Sequence, residues 1–287
     1  MIDPVFLNTP QFVSDQLSEE LGREILVKVE TLNPIGSFKG RGTSLFAREL
    51  DPSLTWVCAT AGNFGQGLAY SARSRGAAVQ IFVGPDAPEG KVARMRALGA
   101  EVTVAEHSEP AAREYAEADE GRYLVVDGKE PAIAEGAGTI GVELDEADPV
   151  DTAVIQLGDG ALITGVARWL KSRRPDTRVV GVCASGAPAM AESFVAGRPT
   201  SVAGDGTIAG ALAISDPVPE SFARIRVLVD EVVLVDDDGL RAAMELIAES
   251  TSVLVEPAGA AGVAALIRHR EALPGERVAI LLTGAAA

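Results

Sequence analysis

Apolar runs of about five residues, each followed by a Gly- or Pro-rich turn and an Ala-rich amphipathic segment, recur along almost the whole chain. That alternation allows few folds, because strands joined by helical crossovers form parallel sheets covered on both faces. The pattern predicts strands at Glu24–Glu30, Thr55–Ala59, Ala78–Val83, Glu101–Val104, Tyr123–Val126, Thr152–Leu157, Arg178–Cys183, Val227–Val235 and Arg277–Leu282, with helices between them. Ligands of such folds sit where loops leave the carboxyl ends of the strands, so the post-strand loops are the places to look for chemistry. The only long stretch without a pattern, Gly197–Pro219, is rich in Gly, Ser, Pro and Asp.

Composition narrows the function. With 287 residues, 47% of them apolar, the chain can bury one large core or two coupled lobes. Lys and Arg total 25 against 41 Asp and Glu, and the formal charge of −16 repels nucleic acid and anionic membrane surfaces. No apolar run approaches membrane-spanning length, and the first residues lack a basic and apolar leader, so a cytoplasmic protein is expected. Cys58 and Cys183 each lie within an apolar strand-like run and read as buried hydrophobes, with neither disulfide nor metal spacing.

Three post-strand loops carry candidate chemistry. The first, L-N-P-I-G-S-F-K-G-R-G from Leu32 to Gly42, leads into a helix expected over Phe38–Leu50, with Ser37 placed as its N-cap and Lys39 in its first turn. A lysine there opposes the helix dipole. Either it snorkels to solvent, or a partly buried site lowers its pKa and frees a neutral amine to form a Schiff base with a carbonyl. The second loop, Thr60-Ala61-Gly62-Asn63-Phe64, opens a helix and reads either as an anion cradle of backbone N–H groups or as an ordinary turn with Asn63 left-handed. The third, Gly158-Asp159-Gly160-Ala161, has the arrangement for holding a phosphate, but neither the lysine of a Walker loop nor the register of a dinucleotide site.

Together these segments resemble the pyridoxal-phosphate enzymes of fold type II, the tryptophan synthase β-like family, and within it the threonine/serine dehydratases. P-I-G-S-F-K-G-R-G, A-G-N-F-G-Q-G, K-V-A-R-M-R-A-L-G-A-E-V, G-T-I-G-V-E-L, G-D-G-A-L-I-T-G, G-T-I-A-G and V-E-P-A-G-A follow one another in the family's order. The resemblance implies an α/β fold of two three-layer parallel-sheet domains: a large domain from residues 1–49 plus 139–287, and a small one from 50–138 carrying the substrate-carboxylate loop. It further implies pyridoxal 5′-phosphate as cofactor, a small amino acid as substrate and a homodimer as the assembly. The reaction implied is β-elimination from L-threonine or L-serine, giving a 2-oxo acid and ammonia. Replacement chemistry of the threonine synthase or cysteine synthase kind is the alternative within the family. A non-catalytic phosphate-ligand binding protein is the alternative outside catalysis.

By the same resemblance Lys39 carries the cofactor and acts as the base, Phe38 flanks the ring, Asn63 bonds its 3′-oxygen, Gly158, Asp159, Gly160 and Ala161 hold the phosphate, and Thr283 sits beside the pyridine nitrogen. Thr60, Ala61, Gly62, Asn63 and Phe64 receive the substrate carboxylate. Glu256, before Pro257, is expected to be an exposed carboxylate at a helix N-terminus, with a supporting place behind the site as the alternative. The chain also departs from the family. Asp159 replaces a usual glycine, Phe64 a frequent histidine, and Gly284-Ala285-Ala286-Ala287 the common Gly-Gly-Asn tail. Serine racemases of this family carry a serine where Ala61 stands. The segment 135–139 leans toward threonine synthases. Where some relatives hold a divalent ion, Gly206, Ala209 and Gly210 offer no carboxylate and Asp205 is alone, so no metal is expected. No regulatory domain is expected after the last motif.

Overall fold

The computed structural model describes residues 1–204 and 206–286, so Asp205, the one carboxylate considered for a metal, lies outside the described residues. Among the described residues ten strands build two sheets. They are β1 (Gln11–Val13), β2 (Glu24–Val29), β3 (Thr55–Ala59), β4 (Val79–Val83), β5 (Glu101–Val104), β6 (Arg122–Leu124), β7 (Thr152–Gln156), β8 (Arg178–Ala184), β9 (Glu231–Val235) and β10 (Arg277–Leu282). One sheet has the order β1-β2-β10-β7-β8-β9, the other β5-β4-β3-β6. Every pairing is parallel except β1 with β2. The register Glu24↔Arg277 through Val29↔Leu282 places the end of the chain beside its beginning, which brings the Lys39 loop next to Thr283.

The side-chain alternation of the large sheet explains its two faces. Ile25, Val27 and Val29 of β2, Val154 of β7, and Val278, Ile280 and Leu282 of β10 pack on the side of helices Asp15–Leu21, Asp237–Thr251 and Ala261–Arg268. Leu26, Ala153, Ile155, Ala279 and Leu281 pack on the opposite side, against helices Pro131–Asp145 and Ala161–Arg173. Because both faces are covered, the strands read as continuous apolar runs rather than as strict alternation. The small sheet repeats the scheme. Trp56, Cys58, Ile81 and Val83 face helices Asn63–Arg75 and Glu89–Ala97, while Val57 and Phe82 face Ala112 and Ala116 of helix Ser108–Glu117.

Both cysteines are buried and unpaired, as expected. Burial raises both thiols, Cys183 to about 12, so neither supplies a thiolate. Three expectations shift. The strand expected at Val227–Val235 begins at Glu231, because Val227 and Leu228 complete helix Pro219–Leu228. The helix expected over Phe38–Leu50 covers Lys39–Phe46 and unwinds through the turn bonds Arg48 N to Leu45 O and Glu49 N to Phe46 O. Phe38 takes the cap position with no side-chain cap, and the Ser37 hydroxyl accepts only a long bond, 3.4 Å, from Lys39 N–H. The short edge strand β1 went unread, since three residues carry no periodicity.

Candidate active site

Helix Lys39–Phe46 is set by close backbone packing and by charge. A Cβ on Gly42 would lie 2.6 Å from Ile133 O, and one on Gly136 2.5 Å from Arg41 O, so helix Pro131–Asp145 crosses it where only glycines fit. Arg41, fully buried, donates through Nε to Glu30 at 2.8 Å, through Nη2 to Glu30 and Glu143 at 2.9 and 2.8 Å, and through Nη1 to Glu143 at 2.5 Å. Lys28 pairs with Glu143 at 2.5 Å and donates to Thr9 O at 2.7 Å. Two cations and two carboxylates thus balance in the interior, the condition under which buried charge is tolerated. Burial opposes charge on Glu143, but bonds from Arg41 and Lys28 prevail and hold it down at about 2. For Arg41 too, burial works against the charge and is outweighed by Glu143 and Glu30, so its pKa rises.

That anchoring presents Lys39, two residues before Arg41, at the mouth of the parallel strands. Its side chain is 14% exposed, so the surface-lysine alternative does not describe it. Lys39 Nζ pairs with Asp127 and lies 5.0 Å from the Phe38 ring centroid and 5.7 Å from that of Phe64. Phe38 N–H donates to Thr283 O at 3.1 Å, and Thr283 is buried at the end of β10. The tail beyond it is stitched in by Ala285 N to Gly36 O, Glu256 N to Gly284 O and Ala286 N to Leu254 O.

The loop 60–64 leaves β3 on the same side. Gly62 caps the helix in extended conformation and Asn63 begins it, with no left-handed turn at the asparagine. The N–H groups of Ala61, Asn63 and Phe64 have no acceptor among the described residues. Asn63 Nδ2 donates to Glu256 Oε1 at 2.8 Å, and Asn63 Oδ1 accepts from Gln66 at 3.2 Å. Glu256 Oε2 accepts from Lys91 Nζ at 2.7 Å, with the two side chains 12% and 19% exposed. This corrects the expectation for Glu256. Its carboxylate points inward because an amide and an ammonium group converge on it.

The loop 158–161 follows β7 into helix Ala161–Arg173. The N–H groups of Gly158, Gly160, Ala161 and Leu162 have no acceptor among the described residues, and Gly160 makes the turn with φ of +93°. The Ser221 hydroxyl donates to Asp159 O, and a Cβ on Gly160 would lie 2.5 Å from Ser221 Oγ. Arg224, on the same helix as Ser221, donates to Gly128 O and Lys129 O at 3.3 and 3.2 Å, so one helix braces both this loop and the one carrying Asp127.

Asp127, Ser221 and Lys91 were absent from the reading of the sequence as site residues. Asp127 follows β6 and was reachable by the same post-strand logic. Ser221 lies beyond the unpatterned stretch, with no local signal.

An amine-bearing helix and two sets of free backbone donors at the carboxyl ends of parallel strands define a class: an α/β enzyme site for an anionic ligand that condenses with lysine. The pyridoxal-phosphate dependent enzyme family matches residues 2–284, and the chain belongs to that family. It is 35% identical over 278 residues to an L-threonine ammonia-lyase of Thermotoga maritima, covering 94% of this chain and 69% of that protein. The solved structure of processed threonine deaminase isoform 2 from Solanum lycopersicum superposes with a TM-score of 0.91 at 28% identity, over 99% of this chain and 85% of that one. Maize serine racemase does so with 0.91 at 27% identity, over 97% and 88%. The free N–H donors and the half-buried amine fit pyridoxal phosphate. Asp159, a carboxylate within its phosphate loop, is the one member of the set that opposes an anion.

Proposed function

We propose that this chain is an ammonia-lyase that eliminates water from L-threonine or L-serine and takes one water back as the resulting imine hydrolyses, releasing ammonia and a 2-oxo acid. The observation that carries it is the convergence of Lys39 with the free N–H groups of two loops at one end of the sheets. Its similarity to proteins named as threonine ammonia-lyase and threonine deaminase supports the substrate class.

Bound at the site, pyridoxal phosphate supplies an electron sink for the substrate α-carbon. Gly158, Asp159, Gly160 and Ala161 would hold its phosphate, Phe38 would flank the ring, Asn63 would bond the 3′-oxygen and Thr283 would sit beside the pyridine nitrogen. Thr283 is a neutral hydroxyl, and a partner of that kind does not keep the nitrogen protonated as a carboxylate would, which favours elimination over transamination. Lys39 Nζ anchors the group and, once free, takes the α-proton. It must first leave Asp127. The loop 60–64 receives the substrate carboxylate on N–H groups that nothing else occupies.

Residues 50–138 act as a smaller lobe whose closure brings that loop onto the substrate and excludes water. The chain works as a cytoplasmic homodimer, a reading supported by its acidic composition and free buried cysteines and by the family's habit. Purified protein given pyridoxal phosphate and L-threonine or L-serine, with no added nucleophile, releases 2-oxo acid and ammonia in equal amounts. Turnover that requires a second nucleophile would replace this reading with β-replacement.

A further inference from the structure

Asp159 occupies a turn built for an anion while being one itself. The N–H groups of Gly158, Gly160, Ala161 and Leu162 are open to a ligand, and the residue among them is held in place from two sides. Its carbonyl accepts from Ser221, and Gly128 packs so closely that a Cβ there would lie 2.8 Å from Asp159 O and 3.2 Å from Asp159 Cβ. Gly128 N–H donates to Asp127 Oδ1 at 3.1 Å, so the residue that packs on Asp159 also holds the Asp127 carboxylate. The charged groups acting on Asp159 are Asp127 from the loop after β6, Lys39 from its helix and, weakly, Glu109 from helix Ser108–Glu117. Arg224, on the bracing helix, is spent on the carbonyls of Gly128 and Lys129. Asp159 is partly exposed as a residue, but burial of its carboxyl first, then Asp127, outweighs Lys39 and the bond from its own N–H and pushes its pKa up to about 7.

We propose that Asp159 takes part in cofactor binding as the carboxylic acid, so that each phosphate dianion bound brings one proton from solvent onto this side chain, and that enclosure of the carboxyl, aided by Asp127, favours that uptake. The proposal rests on the pyridoxal-phosphate reading. A carboxylate beside a dianion would repel it, whereas the acid form adds a donor to the free N–H groups of the loop. The sign is fixed. The bound dianion favours the protonated form, so the pKa rises on binding, affinity is full below about pH 7 and weakens as pH rises above it.

The test uses 4′-deoxypyridoxine 5′-phosphate, which has no aldehyde and so separates phosphate recognition from condensation with Lys39. The phosphate's own second ionisation, near about pH 6, is essentially complete above pH 7. For the unmodified protein the dissociation constant rises roughly five- to tenfold per unit between pH 7 and 9, and calorimetry in buffers of different ionisation enthalpy shows close to one proton taken up at pH 8. Asp159→Asn removes both the slope and the uptake and binds at least as tightly at pH 8, and Asp127→Asn reduces the uptake. A flat profile in the unmodified protein, or an unchanged slope in Asp159→Asn, overturns the proposal. If neither the analogue nor pyridoxal phosphate binds at any pH, and borohydride traps nothing on Lys39, the cofactor reading falls and the proposal with it. Binding of pyridoxal phosphate with a flat analogue profile overturns the proposal alone.

Discussion

Asn63 and Glu256, 193 positions apart in the chain, are joined by a 2.8 Å hydrogen bond from Nδ2 to Oε1. The bond ties the start of the helix after β3 to the segment entering the last helix, and Lys91 on the small-sheet side holds the second oxygen. It fixes which way the amide faces. Replacing Glu256 with Ala frees the Asn63 amide and strands the Lys91 ammonium. Loss of a charged, largely buried partner costs about 1.5–3 kcal/mol, so a loss felt fully in the transition state lowers kcat/KM roughly 10- to 150-fold. Steady-state kinetics of Glu256→Ala and Lys91→Met, with their double mutant, measures the coupling. Independent, additive effects would remove Glu256 from this role.

Arg41 anchors the lysine-bearing helix through two buried carboxylates. Arg41→Met leaves Glu30 and Glu143 without their main partner and destabilises the protein by about 3–5 kcal/mol, read from urea unfolding of the cofactor-free chain.

Glu143 has a folded-state pKa of about 2, below its unfolded value. A depressed carboxylate contributes stability above the unfolded pKa and loses it as pH falls toward the folded one. Unfolding free energy therefore declines as pH drops from about 4.5 toward 2. Glu143→Gln, less stable at neutral pH, shows a shallower decline in that window. An equally steep decline would place the acid sensitivity elsewhere.

Ser221 positions the phosphate loop through the carbonyl of Asp159. Removing one such hydrogen bond costs about 0.5–1.5 kcal/mol, so Ser221→Ala weakens pyridoxal-phosphate binding roughly 2- to 12-fold while kcat at saturating cofactor is kept. Fluorescence titration with the cofactor checks the first part and initial rates the second.

In the proposed mechanism Ala61 separates elimination from racemisation, which share removal of the α-proton by Lys39. Returning a proton to the opposite face requires a titratable group, and a methyl cannot serve. Maize serine racemase superposes as well as the threonine deaminase does, so the fold does not make this distinction. Chiral chromatography after incubation with L-serine shows 2-oxo acid with little D-serine, and Ala61→Ser raises the D fraction. Rapid inversion by the unmodified protein would require an acid elsewhere on that face.

The central strands were legible because both faces of each sheet are covered: Thr55–Ala59 and Arg277–Leu282 have the bounds read from their apolar runs. Lys39, Asn63 and the 158–161 loop stood out in the sequence because post-strand loops with glycines and a misplaced lysine break local expectation. Glu256 was misread because its partners, Asn63 and Lys91, are remote in sequence, and a Glu before a Pro looks the same whether it faces solvent or a buried amide. The Arg41 cluster escaped for a similar reason. Charge at Lys28 and Glu30 inside a strand is explicable only when Glu143, more than a hundred residues away, is brought beside them.

The central claim is that Lys39 carries the cofactor, and borohydride reduction of the pyridoxal-phosphate complex followed by peptide mapping tests it most directly. The account predicts a pyridoxyl group on the peptide containing Lys39 and on no other, absent from Lys39→Ala. A reduced adduct on Lys91, Lys28 or any other lysine of the unmodified protein would contradict it.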